Sequence, residues 1–240
     1  MTNQFKRVEY KYFVPSKYVD DLKFCLSKIM LEDKNNKLSK GYKITSLYFD
    51  TPDDQDLNQK LNGVIYREKY RIRIYDKNMS IGKFEIKRKK NQTIEKNSLD
   101  LDFDEIQSIV AGDYSPLNKD PEFDYVAYRM KYQKYLPKAV VEYYRHAYYL
   151  PLNNIRVTLD TNLSNYGFKD NFININKLTP NKIKKLGHDI IEVKFNDSIP
   201  RYILDVLSSF PIRQSAISKY ALSRVDSNTE PKGDSPEIPF

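Results

Sequence analysis

In four stretches of the chain, charged side chains recur at every second position, and carboxylates stand among the cations. Arg67, Lys69, Arg71, Arg73 and Tyr75 share one side if their segment is extended, as do Lys83, Glu85, Lys87 and Lys89. Arg7, Glu9 and Lys11 form a third set, and Glu192 with Lys194 a fourth. The alternate positions are apolar: Val8, Tyr10 and Tyr12; Tyr70, Ile72 and Ile74; Phe84 and Ile86; Ile191, Val193 and Phe195. Side chains of a β-strand alternate between faces, so each stretch reads as a strand with one ionic and one apolar side.

The chemistry open to such a face is anion binding. Arg71 and Arg73 offer planar donor forks that match phosphate oxygens. Lys83, Lys87 and Lys89 follow on the next strand, and so many adjacent cations repel one another. They are either solvated on an open surface or matched by an anion in a wet interior. Glu9, Glu85 and Glu192 each stand two residues from a lysine (Lys11, Lys87, Lys194). An isolated Glu–Lys pair is worth little. The same spacing on three strands offers hard oxygens for Mg²⁺ or Mn²⁺, ions that commonly bridge to substrate phosphates. Arg156, Thr158 and Asp160 share another face; Arg156 can join the cations, and Asp160 can cap the following turn. Glu142 is a further acidic candidate, although it and Arg145 also suit an ordinary exposed edge.

Other chemistries find less support. His146 and His188 lack metal-ligand spacing and read as structural. No Ser-His-Asp or Cys-His arrangement and no glycine-rich phosphate loop is visible. The single cysteine, Cys25, excludes an intrachain disulfide and reads as a buried thiol. The 20 tyrosines could stack bases. Most lie on apolar strand faces, which suits packing under helices and disfavours nucleic acid.

These faces need strands to carry them. Strands are expected at 6–14, 42–50, 65–76, 80–89, 139–149, 155–161 and 189–196. Helices are expected at 16–30 with Ser16 as N-cap, 53–61, 103–110, 121–135, 199–209 and 213–224. Asn62-Gly63 and the joint 76–79 read as turns, residues 90–100 as a polar return with at most a short strand, and 162–187 as irregular. The 240 residues carry a net charge of +8, which favours an anionic partner. Strands spread along the whole chain, with hairpin joints, suit one α+β domain over 1–225 built on an antiparallel sheet. The Pro- and charge-rich residues 226–240 are expected to form a disordered tail. No apolar run approaches a membrane span and no signal core opens the chain, so a cytoplasmic location is expected.

The ordered set of segments resembles the VTC-domain proteins, the polyphosphate polymerase branch of the triphosphate tunnel metalloenzymes. The segments are Glu9–Val14, Ile44–Thr51, Arg71–Tyr75, Phe84–Lys87, Arg156–Leu163, Ile191–Lys194 and Ser218–Tyr220, spread over roughly residues 5–225. No one of them is specific; their order and spacing are.

The resemblance implies a closed antiparallel β-barrel tunnel with an ionic interior flanked by helices, of the CYTH-like kind. It implies γ-phosphate transfer from ATP to inorganic polyphosphate with Mn²⁺ or Mg²⁺. By position Lys11, Arg71, Arg73, Lys87 and Arg156 would bind triphosphate, Glu192 would hold the metal with Glu85 as a second acidic residue, and Ser218 and Lys219 would close over the phosphates. Lys83 and Lys194 join Ser218 as expected ligand-binding positions. Ala216 departs from the pattern, which has a further lysine there. That departure leaves a tripolyphosphate hydrolase and a non-catalytic polyphosphate-binding module as alternatives.

Overall fold

A computed structural model describes residues 8–36, 41–76, 80–90, 93–166, 181–182 and 188–224. In chain order the elements are β1 (Val8–Pro15), α1 (Val19–Ile29), β2 (Leu31–Glu32), β3 (Tyr42–Asp50), α2 (Gln55–Leu61), β4 (Tyr66–Tyr75), β5 (Ile81–Lys90) and β6 (Thr93–Asp102). There follow α3 (Phe103–Val110), α4 (Asp124–Tyr132), β7 (Leu136–Leu150), β8 (Ile155–Tyr166), β9 (Asn181–Lys182), β10 (His188–Phe195), α5 (Arg201–Ser208), β11 (Arg213–Gln214) and α6 (Lys219–Arg224). The expected position of Arg7, most of the 76–79 joint, much of 162–187 and the 226–240 tail lie outside the described residues.

The strands form one antiparallel sheet ordered β11-β1-β10-β8-β7-β3-β4-β5-β6, with β2 added beside β7 and β9 beside β8. The expectation of a closed barrel needs correction. Among the described residues no hydrogen-bonded ladder joins β6 to β1 or β11, so the sheet is rolled rather than closed. Register shifts at Tyr48/Phe49 and Glu142/Tyr144 mark irregularities that sharpen strand twist. Asn162, at φ 53° inside β8, adds a further bend. The rolling is deep enough that Lys87 of β5 reaches Glu9 of β1 at 3.1 Å across the concave face.

Strand alternation sorts two clusters of apolar side chains to the convex face, where helices cover them. A third, with Ile44, Val141, Tyr143 and Ile190, lies on the concave side under Ile217 and Tyr220. Leu47, Phe49, Tyr70, Ile72, Phe84 and Ile86 pack under α3 and α4 through Ile106, Ile109, Val126 and Met130. Val157, Leu159, Ile191 and Val193 pack under α1 and α5 through Leu22, Leu26, Ile203 and Leu207. Burying each such side chain contributes about 1.5–3 kcal/mol. Gly82 permits the close seat of α3, because a Cβ there would stand 2.8 Å from the Ile106 Cδ1. Asp102 caps α3 by accepting from the Glu105 N–H, and Glu105 returns the bond in a capping box.

Three further expectations change. Residues 93–102 form a full strand, β6, rather than a polar return. The last helix covers only Lys219–Arg224, and Arg213–Gln214 pair with β1. The N-cap position of α1 is Tyr18, with no side-chain bond, and a 3-10 turn occupies Ser16–Tyr18. No helix among the described residues is long and apolar enough to cross a membrane.

A candidate phosphate-binding face

The concave face gathers the charged rows. The sheet register sets Arg71 opposite Glu85 and Lys11 opposite Glu192. It also sets like charges opposite one another: Arg67 with Lys89, Lys69 with Lys87, and Arg73 with Lys83. Such pairs are destabilising unless an anion or solvent intervenes. On β8 and β10 the same face carries Arg156, Thr158, Asp160, Glu192 and Lys194, facing each other strand to strand. Helix α6 lies over one part of it, with Tyr220 stacked on Tyr48 at 5.2 Å.

Carboxylates hold the deeper cations in place. Glu85 is 1% exposed and accepts from Arg71 Nε at 2.7 Å. Arg73 Nη1 stands 3.5 Å from it and Lys96 Nζ 2.6 Å. Burial alone would raise its pKa, yet Arg71, Arg73 and Lys96 hold it far below the usual carboxylate range. Asp160, fully buried, takes a two-point contact from Arg145 at 2.6 and 2.7 Å. Lys219 approaches the same carboxylate at 2.6 Å and lies over the Tyr143 ring. Breaking such a buried set by deleting one partner costs several kcal/mol, on the order of 3–5.

A second acid group lies at the centre. Glu9 stands 3.0 Å from Lys11 Nζ and Glu192 3.8 Å from the same nitrogen. The two carboxylates share the Lys11 ammonium between them. Lys194 and Arg145 approach Glu192 at 3.2 and 3.4 Å. Against the effect of burial, Lys11 and Lys194 hold the Glu192 pKa well below its ordinary value.

The field of the face is nevertheless positive. Burial and the cations Lys60, Lys11, Lys87 and Arg67 push the Lys69 amine down to about 7. Burial and Lys11 push Lys87 down to about 8, against the pull of Glu9 and Glu192. Burial would raise the Tyr48 phenol, but Arg71, Arg73 and Lys219 lower it. Three buried polar atoms here, Ser46 Oγ, Arg73 Nε and Thr158 Oγ1, have no hydrogen-bond partner. Unspent donors in a positive field are what a polyanion supplies acceptors for.

A divalent ion fits part of this face. Among the described residues no three or more His, Cys, Asp or Glu side chains are grouped to hold a metal by themselves. Glu9 and Glu192 give two adjacent hard-oxygen donors, a set that Mg²⁺ or Mn²⁺ completes with waters and phosphate oxygens. Glu85, expected as a second metal residue, lies in ion pairs with Arg71, Arg73 and Lys96. Glu9 is the carboxylate that shares Lys11 with Glu192.

The other expected residues fall on one face but in different settings. Lys11, Arg71, Arg73, Lys87, Lys194 and Lys219 line its interior. Arg156 sits toward a rim, paired to Asp33 at 2.9 Å. Lys83 is bound to the exposed Asp100 and is the most peripheral of the set. Ser218 accepts a hydrogen bond from Lys69 at 2.8 Å. Glu142 and Arg145, which suited an open edge, are both buried. Glu142 faces Lys43 at 2.5 Å away from the site, while Arg145 lies within it. Asp160 anchors Arg145 and Lys219 rather than capping a turn. Lys96 was hidden in the segment read as a polar return.

A family model described as VTC domain matches residues 6–225. No curated protein matches the chain. Among solved structures, HpAC1 from Hippeastrum, an adenylyl cyclase candidate credited with a dominant triphosphatase activity, superposes with a TM-score of 0.52. It is 18% identical, over 91% of this chain and 95% of that one. An adenylate cyclase candidate from Bacillus halodurans gives 0.47 at 13% identity, covering 89% and 95%. The PH1819 protein from Pyrococcus horikoshii gives 0.48 at 12% identity, covering 90% and 97%.

Proposed function

Because the chain belongs to the VTC domain family, we propose that its concave ionic face binds a nucleoside triphosphate and transfers the terminal phosphoryl group to inorganic polyphosphate, releasing the diphosphate. The observation that carries this reading is the gathering of Lys11, Arg71, Arg73, Lys87 and Lys219 on one curved face with the Glu9–Glu192 acid pair among them. Residues 1–225 act as one domain in this reading.

Phosphoryl transfer asks the protein mainly for positioning and charge neutralisation. Arg71 and Arg73, fixed by Glu85, present guanidinium edges to equatorial phosphate oxygens. Lys11 and Lys87 neutralise the neighbouring phosphates. Lys219, fixed by Asp160, and Ser218 approach from α6, with Arg156, Lys194 and Lys83 extending the binding toward the rims. Glu9 and Glu192 would hold Mg²⁺ or Mn²⁺, which would supply further charge neutralisation to the phosphates. No side-chain nucleophile is needed for transfer to a polyphosphate end.

The test is incubation with ATP, a short polyphosphate and Mn²⁺ or Mg²⁺, following ADP, orthophosphate and chain length together. ADP with lengthening chains is the expected result. Orthophosphate without lengthening assigns hydrolysis to the same face, and binding without turnover assigns a polyphosphate-binding module.

A further inference from the structure

The concave face has two unlike ends. At one, Arg67 of β4 stands opposite Lys89 of β5, and the Lys60 amine of α2 lies in the field of both. None of the three forms an ion pair among the described residues; Arg67 donates to the Val64 carbonyl at 2.6 Å. At the other end the cations are already matched. Arg156 is paired to Asp33 at 2.9 Å, and Lys83 to Asp100.

What the matched end offers is an aromatic surface. Tyr75 ends the β4 row that starts at Arg67 and passes through Arg71 and Arg73. It pairs with Ile44 of β3, which turns its side chain to the same side as Tyr42. The Tyr42 and Tyr75 rings lie 6.4 Å apart, tilted by 40°. Tyr42 is buried, and its hydroxyl accepts from Arg156 at 3.5 Å, so it forms a fixed backing for Tyr75. Tyr75 itself is 36% exposed. A ring held from behind and open in front is a platform on which a planar group can stack.

Strand geometry sets the reach. Tyr75 lies two residues beyond Arg73, about 7 Å along the strand, a step that a ribose can bridge between a phosphate and a base. A triphosphate on Arg71 and Arg73 therefore brings its nucleoside to Tyr75 when its terminal phosphate points toward Arg67. The reverse orientation would leave an uncharged nucleoside among the unmatched cations and turn phosphates toward Asp33 and Asp100.

We propose that Tyr75, backed by Tyr42, is the nucleoside subsite of the concave face: the base stacks on the open side of the Tyr75 ring, and the phosphates run from there along β4 toward Arg67. The inference rests on the proposed nucleoside-triphosphate reading of the face. Stacking of this kind tolerates any base, so the subsite favours nucleotides over bare phosphate chains rather than one base over another. It also gives the reaction a direction along the sheet. The nucleoside diphosphate leaves at the Tyr75 end, and the polyphosphate chain extends past Lys60, Arg67 and Lys89.

The experiment titrates ATP and, separately, tripolyphosphate into the whole protein at fixed moderate salt, for the wild type, Tyr75→Ala and Tyr75→Phe. In Tyr75→Ala the affinity for ATP should fall about 10-fold, while tripolyphosphate binds as in the wild type, which also shows that the variant is folded. Tyr75→Phe keeps the ring and should keep the wild-type ratio of the two affinities. Tyr75→Leu, which retains apolar bulk against Tyr42 without a ring, should lose ATP affinity as the alanine does. A ratio of ATP to tripolyphosphate affinity that stays at the wild-type value in Tyr75→Ala and Tyr75→Leu would overturn the proposal and leave the phosphate face standing. Saturable binding of neither ligand to the wild type would overturn the two together.

Discussion

Arg71 donates from Nε to a Glu85 carboxylate oxygen at 2.7 Å, and its Nη2 stands 2.7 Å from the same oxygen, on adjacent strands of the concave face. The contact fixes the guanidinium before any ligand arrives. It also leaves Tyr48 as the further partner of Arg71, at 3.1 Å.

Glu85→Gln therefore has opposite effects on the free and bound protein. It removes the counter-charge of Arg71, Arg73 and Lys96, and should destabilise the free fold by about 3 kcal/mol. A bound polyanion supplies the missing charge. Thermal unfolding should show a larger midpoint rise on adding tripolyphosphate than the wild type shows. An equal rise in both proteins would mean that the ligand does not meet these cations.

Glu192→Gln separates metal from anion. Metal-dependent turnover should fall by at least about 100-fold, the scale of losing one transition-state electrostatic group. Tripolyphosphate affinity without metal should hold or improve, since a negative charge leaves the face. Steady-state rates over a Mn²⁺ titration, beside calorimetry in a chelator, make the comparison. Full turnover in the variant would exclude Glu192 as a ligand.

The Lys69 amine gives binding a pH dependence with a definite sign. Its pKa in the free protein is lowered, chiefly by burial and then by four neighbouring cations, to about 7. A bound polyanion favours the protonated form and raises it. Below pH 7 the charge is already present, so affinity gains nothing from a proton. Above pH 7 binding must take up a proton, and affinity should fall as pH rises. Calorimetry at pH 8 in buffers of different ionisation enthalpy should show net proton uptake, reduced in Lys69→Met. Uptake unchanged in that variant would place the coupling elsewhere.

Asp160→Asn tests the anchor beneath α6. Arg145 and Lys219 would lose their common counter-ion in a fully buried position, a cost on the order of 3–5 kcal/mol. Chemical denaturation should show the loss, whereas Lys83→Ala, at the exposed rim, should leave the midpoint nearly unchanged. Similar midpoints for the two variants would contradict the burial assigned to Asp160.

The period-two rows around Arg71, Lys87 and Glu192 were legible because one face of each strand is uniformly apolar and lies under helices. Arg145 was not. Strand β7 is buried on both faces from Ala139 to Tyr143, so alternation fades and the residue resembles an edge charge. Its partner Asp160 comes from pairing with β8, which local pattern does not encode. Strand β6 was obscured because only Leu99 and Leu101 of its outward side are buried apolar residues.

The short last helix was hidden for a different reason. Ile212, Ala216 and Tyr220 are spaced as a helix would space them, but the backbone of Arg213 and Gln214 is engaged by β1. Closure of the sheet was likewise beyond periodicity, which fixes the faces of strands but not whether the two outermost strands meet. That Glu9 rather than Glu85 shares Lys11 with Glu192 follows from β1 lying beside β10.

Titration of tripolyphosphate into the wild type and the Arg71→Ala, Arg73→Ala double variant, at fixed moderate salt, tests the central claim most directly. The account predicts one site per wild-type chain. Losing two charge-assisted contacts of about 1.5–3 kcal/mol each should weaken binding at least about 100-fold in the double variant. Equal affinity in both proteins, or no saturable binding to the wild type, would contradict the assignment of the concave face as the phosphate site.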